Sequence, residues 1–201
     1  MNDVAGTLGY EDSADRFLAL SRSLDFFTVC HSFVPYLPQV GAHVLDVGAG
    51  AGQNAAALAR VGYTVTAIEP LQTFLTSAKE HYSDLNIQWR QDFLPVLNCL
   101  DNNTKFEFVL VEGMWHHLNE RERELSATRL AEIVKPSGVC AISLRHGPAG
   151  LGTCVHPIDR EKTIVDFQAA GFNCIHKSVN QSSYLPNKEN VRWDRIVLEK
   201  T

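Results

Sequence analysis

The feature that most constrains this chain is the stretch over residues 43–70. Val44, Leu45 and Val47 form the short apolar run of a buried parallel strand. Gly48, Gly50 and Gly52 follow at alternate positions, with Ala49 between the first two, in a turn where no Cβ keeps a ligand off the backbone. The Ala-rich segment after Gln53 favours helix and stops at Gly62. A second apolar run, 65–68, leads into Glu69, about twenty residues beyond the glycines, where a carboxylate can hold both hydroxyls of a ribose. Strand, glycine turn, helix, strand and acid make a nucleoside-binding unit.

Dinucleotide-binding folds space their glycines Gly-x-Gly-x-x-Gly and seat a pyrophosphate on the helix N-terminus. Here the spacing is Gly-x-Gly-x-Gly, and Asp46 precedes the first glycine inside the strand. An acid so placed suits a cationic or donor-rich ligand better than a diphosphate. In this stretch the chain resembles the class I S-adenosylmethionine-dependent methyltransferases, whose first motif, Asp-x-Gly-x-Gly-x-Gly, is matched by Asp46, Gly48, Gly50 and Gly52. The resemblance extends more weakly over residues 41–200 by the order of elements. It implies a doubly wound α/β sheet of seven strands, order 3-2-1-4-5-7-6, mostly parallel with the last strand antiparallel and helices on both faces. Residues 1–201 then read as a single domain, with 1–40 as an N-terminal helical lid segment and 41–201 as the Rossmann-like core.

Periodicity supplies the remaining elements. Asp12 or Ser13 can cap a helix carrying Ala14, Phe17, Leu18 and Ser21 on one face, with Phe26, Phe27, Phe33 and Val34 continuing it until Pro35 and Pro38. Leu71, Phe74, Leu75, Ala78 and Tyr82 trace another amphipathic helix. Residues 87–90 read as a third strand, and 93–103 as a short helix and a turn marked by Asn102 and Asn103. The apolar run 106–111 reads as a central strand. Asn119 and Glu122 have capping-box spacing for a helix ending at Pro136–Gly138. A strand over 139–144, a Gly/Pro-rich loop over 146–157, a helix ended by Gly171, and two alternating strands at 172–179 and 192–199 complete the chain.

With 201 residues and a net charge of -5, the chain suits one globular domain and argues against a broad nucleic-acid footprint. Five scattered cysteines without Cys-x-x-Cys spacing read as reduced thiols of a cytoplasmic protein, neither disulfide frame nor zinc site. No leader and no long apolar run is visible, so no membrane association is expected. The composition leaves the oligomeric state open.

The resemblance assigns site residues. Asp46 reaches the cofactor's amino group, Gly48, Ala49, Gly50 and Gly52 border its methionine and ribose, and Glu69 takes the ribose hydroxyls. Asp92 accepts from the adenine amine with the Phe93 amide beside it, while Pro70 and Leu71 flank the ring. Glu112 lies next to the cofactor. The segment 112–118, Glu-Gly-Met-Trp-His-His-Leu, has neither the Asn/Asp-Pro-Pro-Tyr of DNA and protein-nitrogen enzymes nor a Pro-Cys pair for cytosine carbon-5 chemistry. It is similar instead to small-molecule methyltransferases. His117 or His116 is the candidate general base. Tyr10, Trp115, Arg145 and His146 are candidate substrate contacts, and His116, His117, His146 and His156 have no spacing that calls for a metal. The expected activity is methyl transfer from S-adenosylmethionine to a small molecule. The alternatives are a noncatalytic S-adenosylmethionine-binding or partner-regulating domain and, third, a nicotinamide-dependent oxidoreductase.

Overall fold

The structure, a computed structural model, describes residues 4–101 and 103–201; Asn102 of the expected break and the first three residues of the lid segment lie outside it. Strands β1 (His43–Val47), β2 (Thr64–Ile68), β3 (Ile87–Arg90), β4 (Phe106–Val111), β5 (Val134–His146), β6 (Phe172–Ser182) and β7 (Arg192–Lys200) form one seven-stranded sheet of order 3-2-1-4-5-7-6. The first five pair in parallel, and β7 inserts antiparallel to both β5 and β6. The order is the one the resemblance implies.

Strand alternation divides the core into two faces. Leu45, Val47, Val109, Val111, Ile142 and Leu144 pack with Ala127 and Leu130 of α5 (Glu120–Ile133) and with Ile164 and Phe167 of α6 (Arg160–Ala169). Val44, Val65, Ala67, Phe108, Leu110 and Ala141 pack on the other face, against Ala55, Ala56 and Leu58 of α3 (Gln53–Val61) and Phe26 of α2 (Phe26–Val29). A small third cluster joins Leu18 of α1 (Ala14–Arg22), Ala51 of the glycine turn and Phe74 of α4 (Gln72–His81), tying the N-terminal segment to the carboxyl edge of the sheet.

Local signals hold where their partners are local. Asn119 and Glu122 close a reciprocal capping box on α5, at 3.0 and 2.7 Å. Three readings need correction. The N-terminal helix breaks after Arg22, because the Asp25 carboxylate accepts from the Thr28 amide at 2.7 Å and starts a new helix. Residues 93–103 contain no helix among those described; they turn around Asp92, whose two oxygens accept from the amides of Phe93 (2.8 Å) and Cys99 (2.6 Å). Helix α5 ends at Ile133 rather than at Pro136, since Val134 already pairs with Phe106 as the start of β5.

Candidate active site

The glycine turn is fixed by its neighbour strand: the amides of Gly48 and Ala49 both donate to Ile68 O, at 2.8 and 2.9 Å. Gly50 and Gly52 have φ of +54° and +83°, the left-handed region where a Cβ is strained. A Cβ on Gly50 would stand 3.1 Å from the Phe17 ring, whereas one on Gly52 would run into Trp89 at 2.7 Å. Gly50 thus lets Phe17 of the N-terminal segment close down on the turn, Gly48 is the glycine that lines the cavity below, and Gly52 lets the turn pack on the body of the protein.

Three strands of the α3 face end in acids: Asp46 in β1, and Glu69 and Glu112 just beyond β2 and β4. Glu69 Oε2 accepts from Gly50 N at 2.8 Å and Oε1 from Leu71 N at 2.9 Å. Burial nonetheless pushes its pKa up to about 7, outweighing the two amides. Burial does the same to Asp46, also to about 7, against the Ala55 amide and with Glu112 and Glu69 adding repulsion. Glu112 is raised by burial, with Arg195 partly offsetting it. Asp46 Oδ2 and Glu112 Oε2 are buried without a hydrogen-bond partner among the described residues. Such a row of desolvated acids favours a ligand that carries positive charge and hydrogen-bond donors.

A cavity of about 330 Å³ lies over these strand ends. Glu69, Pro70, Leu71, Phe74 and Phe93 form one wall, Gly48, Gly113, Met114 and His117 the other, and Val4–Thr7 with Tyr10 the cover. The cover is held by aromatic packing. Phe17 stacks on Phe74 with centroids 4.6 Å apart, and Tyr10 meets Phe17 edge-on at 5.0 Å.

After β4 the chain makes a single 3₁₀ turn, Trp115–His117, which sends its side chains different ways. His117 reaches the cavity. Its Nδ1 lies 2.6 Å from the carbonyl of Cys154, which can only accept, so the proton sits on Nδ1 and Nε2 accepts from the Tyr10 hydroxyl at 2.9 Å. Burial lowers the His117 pKa, against the raising effect of the Cys154 contact, and burial raises Tyr10 to about 12. Both therefore stand neutral at pH 7.

Other expected site residues are placed differently. His116 does not line the cavity; its ring lies against His117 (4.1 Å) and Trp193 (6.2 Å), because the 3₁₀ turn points it back over the sheet. Trp115 is fully buried and packs on Phe167 in the core, so it is no substrate contact. Arg145 gives its guanidinium to the carbonyls of Gly147 and Pro148 in its own loop, and His146 faces Asp194 at 3.2 Å. Asp92 is spent on its loop amides, and Phe93 rather than Asp92 lines the cavity. His156 stands by the Cys154 thiol, 3.7 Å away.

Sequence reasoning missed Arg123. Its guanidinium, buried on the inner stripe of α5, donates to the carbonyls of Trp115 (3.3 Å), Pro157 (2.7 Å) and His156 (3.1 Å). It thereby ties the His117 turn to the 147–157 loop. Its spacing from Ala127 and Leu130 was the available signal, an arginine in an apolar stripe.

Comparison with known proteins agrees with this geometry. The profile of the family described as "Methyltransferase domain" matches residues 44–138. The chain is 19% identical to a TehB-like SAM-dependent methyltransferase from Corynebacterium glutamicum, with a TM-score of 0.70 over 95% of this chain and 97% of that one. It superposes equally well, TM-score 0.70 at 17% identity, on the 1,6-didemethyltoxoflavin-N1-methyltransferase of Burkholderia thailandensis, over 96% and 84% of the two chains. A curated relative, the ubiquinone biosynthesis O-methyltransferase of Bartonella quintana, is 30% identical over 121 residues, 57% of this chain and 47% of that protein. The chain thus spans about half the length of the curated relatives it matches. Its fold is that of the class I, Rossmann-like methyltransferases to which it is similar.

Proposed function

We propose that the chain transfers the methyl group of S-adenosylmethionine to a small-molecule acceptor. The observation that carries this reading is the cavity itself, which joins the glycine turn, the buried Glu69 carboxylate and an imidazole under one cover. The residues fit the cofactor chemically. Glu69 offers both oxygens to ribose hydroxyls, while Pro70, Leu71, Phe74 and Phe93 give an apolar slot for a purine. The acids of β1 and β4 suit the ammonium and sulfonium charges, Asp46 with an oxygen still free.

When bound, S-adenosylmethionine supplies a methyl group on sulfur already activated for in-line displacement. The protein's part is to position the acceptor and exclude water. Val4–Thr7 and Tyr10 cover the cavity and do the second. His117 holds the proton question: an acceptor O–H or N–H that displaces the Tyr10 hydroxyl would meet the lone pair of Nε2, and the Cys154 carbonyl keeps the opposite nitrogen protonated. Tyr10 therefore guards the base until the acceptor arrives.

One observation favours the second reading, a noncatalytic S-adenosylmethionine-binding domain: His117 Nε2 is already engaged by Tyr10. The test is incubation with methyl-labelled S-adenosylmethionine and fractionated small metabolites. Label in a small-molecule product supports the transferase, and a folded, cofactor-binding protein that labels nothing supports the binding domain. We further read the chain as one domain working in the cytoplasm without nucleic acid. Its five cysteines are all free thiols, and no described helix is long and apolar enough to cross a membrane.

A further inference from the structure

The imidazole of His117 is oriented from outside its own turn. The carbonyl that holds its Nδ1 proton belongs to Cys154, 37 residues away, in a segment without helix or strand over 147–159. Such a segment places a carbonyl only as well as its anchors allow. At one end the Thr153 amide donates to Leu8 O of the cover, at 2.9 Å. At the other the His156 amide donates to His116 O at 2.8 Å, and Arg123 donates to Pro157 O at 2.7 Å and His156 O at 3.1 Å. Arg123 Nε also reaches Trp115 O, 3.3 Å away, at the start of the His117 turn. One guanidinium thus binds both the turn that carries the imidazole and the loop that carries its orienting carbonyl.

Packing does not account for an arginine at this position. Arg123 is 7% exposed and shares the inner stripe of α5 with Ala127 and Leu130. These three hydrogen-bond acceptors are all main-chain carbonyls, none a carboxylate. Burial lowers its pKa, while Glu120 and Glu122 oppose the shift. A desolvated cation is a costly way to fill an apolar stripe that a leucine or methionine would fill without charge. What it supplies is a planar fork with donors aimed in several directions, which a lysine does not have. The fit around the ring is close. A Cβ on Gly152 of the loop would stand 2.9 Å from His117 Cε1, and one on Gly6 of the cover 2.9 Å from its Cβ.

We infer that Arg123 is the positioning residue of the His117 base: by clamping loop to turn it keeps the Cys154 carbonyl on Nδ1, and so keeps the Nε2 lone pair turned to the cavity. Arg123 itself does not line the cavity, so it acts only through His117. Which imidazole nitrogen carries the proton is set by the partner of the other. Without the clamp the carbonyl leaves Nδ1, and exchange with water lets the proton settle on Nε2. There it occupies the lone pair that an acceptor's proton needs. The inference rests on the methyl-transfer reading, in which Nε2 takes that proton.

The test is nitrogen NMR of protein labelled with ring-15N histidine and saturated with S-adenosylhomocysteine at pH 8, the His117→Ala spectrum identifying the His117 signals. The unmodified protein should show His117 protonated on Nδ1 and bare on Nε2. Arg123→Met keeps the volume but removes the donors, and should lose the Nδ1-bound proton in favour of Nε2 or of exchange between the two. Arg123→Lys should restore part of the Nδ1 signal, and Tyr10→Phe, which leaves the clamp alone, should keep all of it. A side chain that only packed α5 would leave the proton where it was. Unchanged S-adenosylhomocysteine affinity reports that each Arg123 variant is folded; if Arg123→Met fails that check, Arg123→Lys decides by a reduced Nδ1 signal. A His117 proton on Nε2 in the unmodified protein, or on Nδ1 to the same extent in the folded Arg123 variants, overturns the inference. Loss of the Nδ1 signal in Tyr10→Phe but not in Arg123→Met overturns it too and gives the role to Tyr10. Failure of the unmodified protein to bind S-adenosylhomocysteine would instead contradict the methyl-transfer reading, and the position of the proton would then be read on the ligand-free protein.

Discussion

The two halves of the sheet's carboxyl edge are built from different materials. Over β1 and β2 the site is mostly backbone: a glycine turn pinned to Ile68, and a carboxylate clamped by the amides of Gly50 and Leu71. Over β4, β5 and β7 it is mostly side chain, with Tyr10, His117, Arg123 and Arg195 arriving from distant parts of the sequence. A backbone-built half depends little on side-chain identity, whereas a side-chain-built half changes with each residue it contains. The comparison predicts that changes in the first half weaken or abolish cofactor binding, while changes in the second spare it and alter turnover.

The largest effect is expected at the glycine turn. Gly50→Val puts a branched Cβ at a φ of +54° and within 3.1 Å of the Phe17 ring, a strain of about 1–2 kcal/mol before any ligand is considered. Calorimetry should register no cofactor binding, while circular dichroism shows the fold retained. Normal binding by a folded Gly50→Val protein would remove the turn from the cofactor site. Next comes the imidazole. His117→Ala should lower turnover by roughly two to four orders of magnitude with cofactor affinity nearly unchanged, and His116→Ala should not. Equal turnover in both variants across the pH range would reduce His117 to a packing residue.

Smaller effects separate the halves more finely. Glu69→Ala removes charge-assisted hydrogen bonds worth about 1.5–3 kcal/mol, so cofactor affinity should fall roughly tenfold or more, with the acceptor's own affinity untouched. An unchanged dissociation constant would mean that the ribose lies elsewhere. The pH dependence is milder. Burial pushes Asp46 and Glu69 up to about 7, above their values in the unfolded chain, so the folded protein holds protons that the unfolded one releases. Stability of the ligand-free protein should therefore be greatest below the unfolded values and fall as pH rises towards 7. Cofactor binding needs the ionised acids, so affinity should rise severalfold from pH 6 to pH 8, with proton release seen in buffers of different ionisation enthalpy. Flat affinity over that range would show that neither acid meets the ligand.

The same division explains what could be read from the sequence. The unit over 43–70 carries its own strand period, glycines and acid, and it folds as its local pattern says. The Asn119–Glu122 capping box is equally local. The segment after β3 was misleading because its apolar spacing imitates a helix, while Asp92 spends its carboxylate holding the turns. Trp115 looked like a ligand contact from its place after a central strand, but the 3₁₀ turn drops it onto Phe167. The partners that decide His117, Tyr10 and the Cys154 carbonyl, lie 107 and 37 residues away, beyond the reach of any motif.

The most direct measurement is a calorimetric titration of the unmodified protein with S-adenosylmethionine, S-adenosylhomocysteine and NAD under one set of conditions. A row of buried acids beside a glycine turn predicts saturable binding of the two adenosyl sulfur compounds and none of the diphosphate. Binding of NAD more tightly than either would contradict it, and would make this edge of the sheet a dinucleotide site.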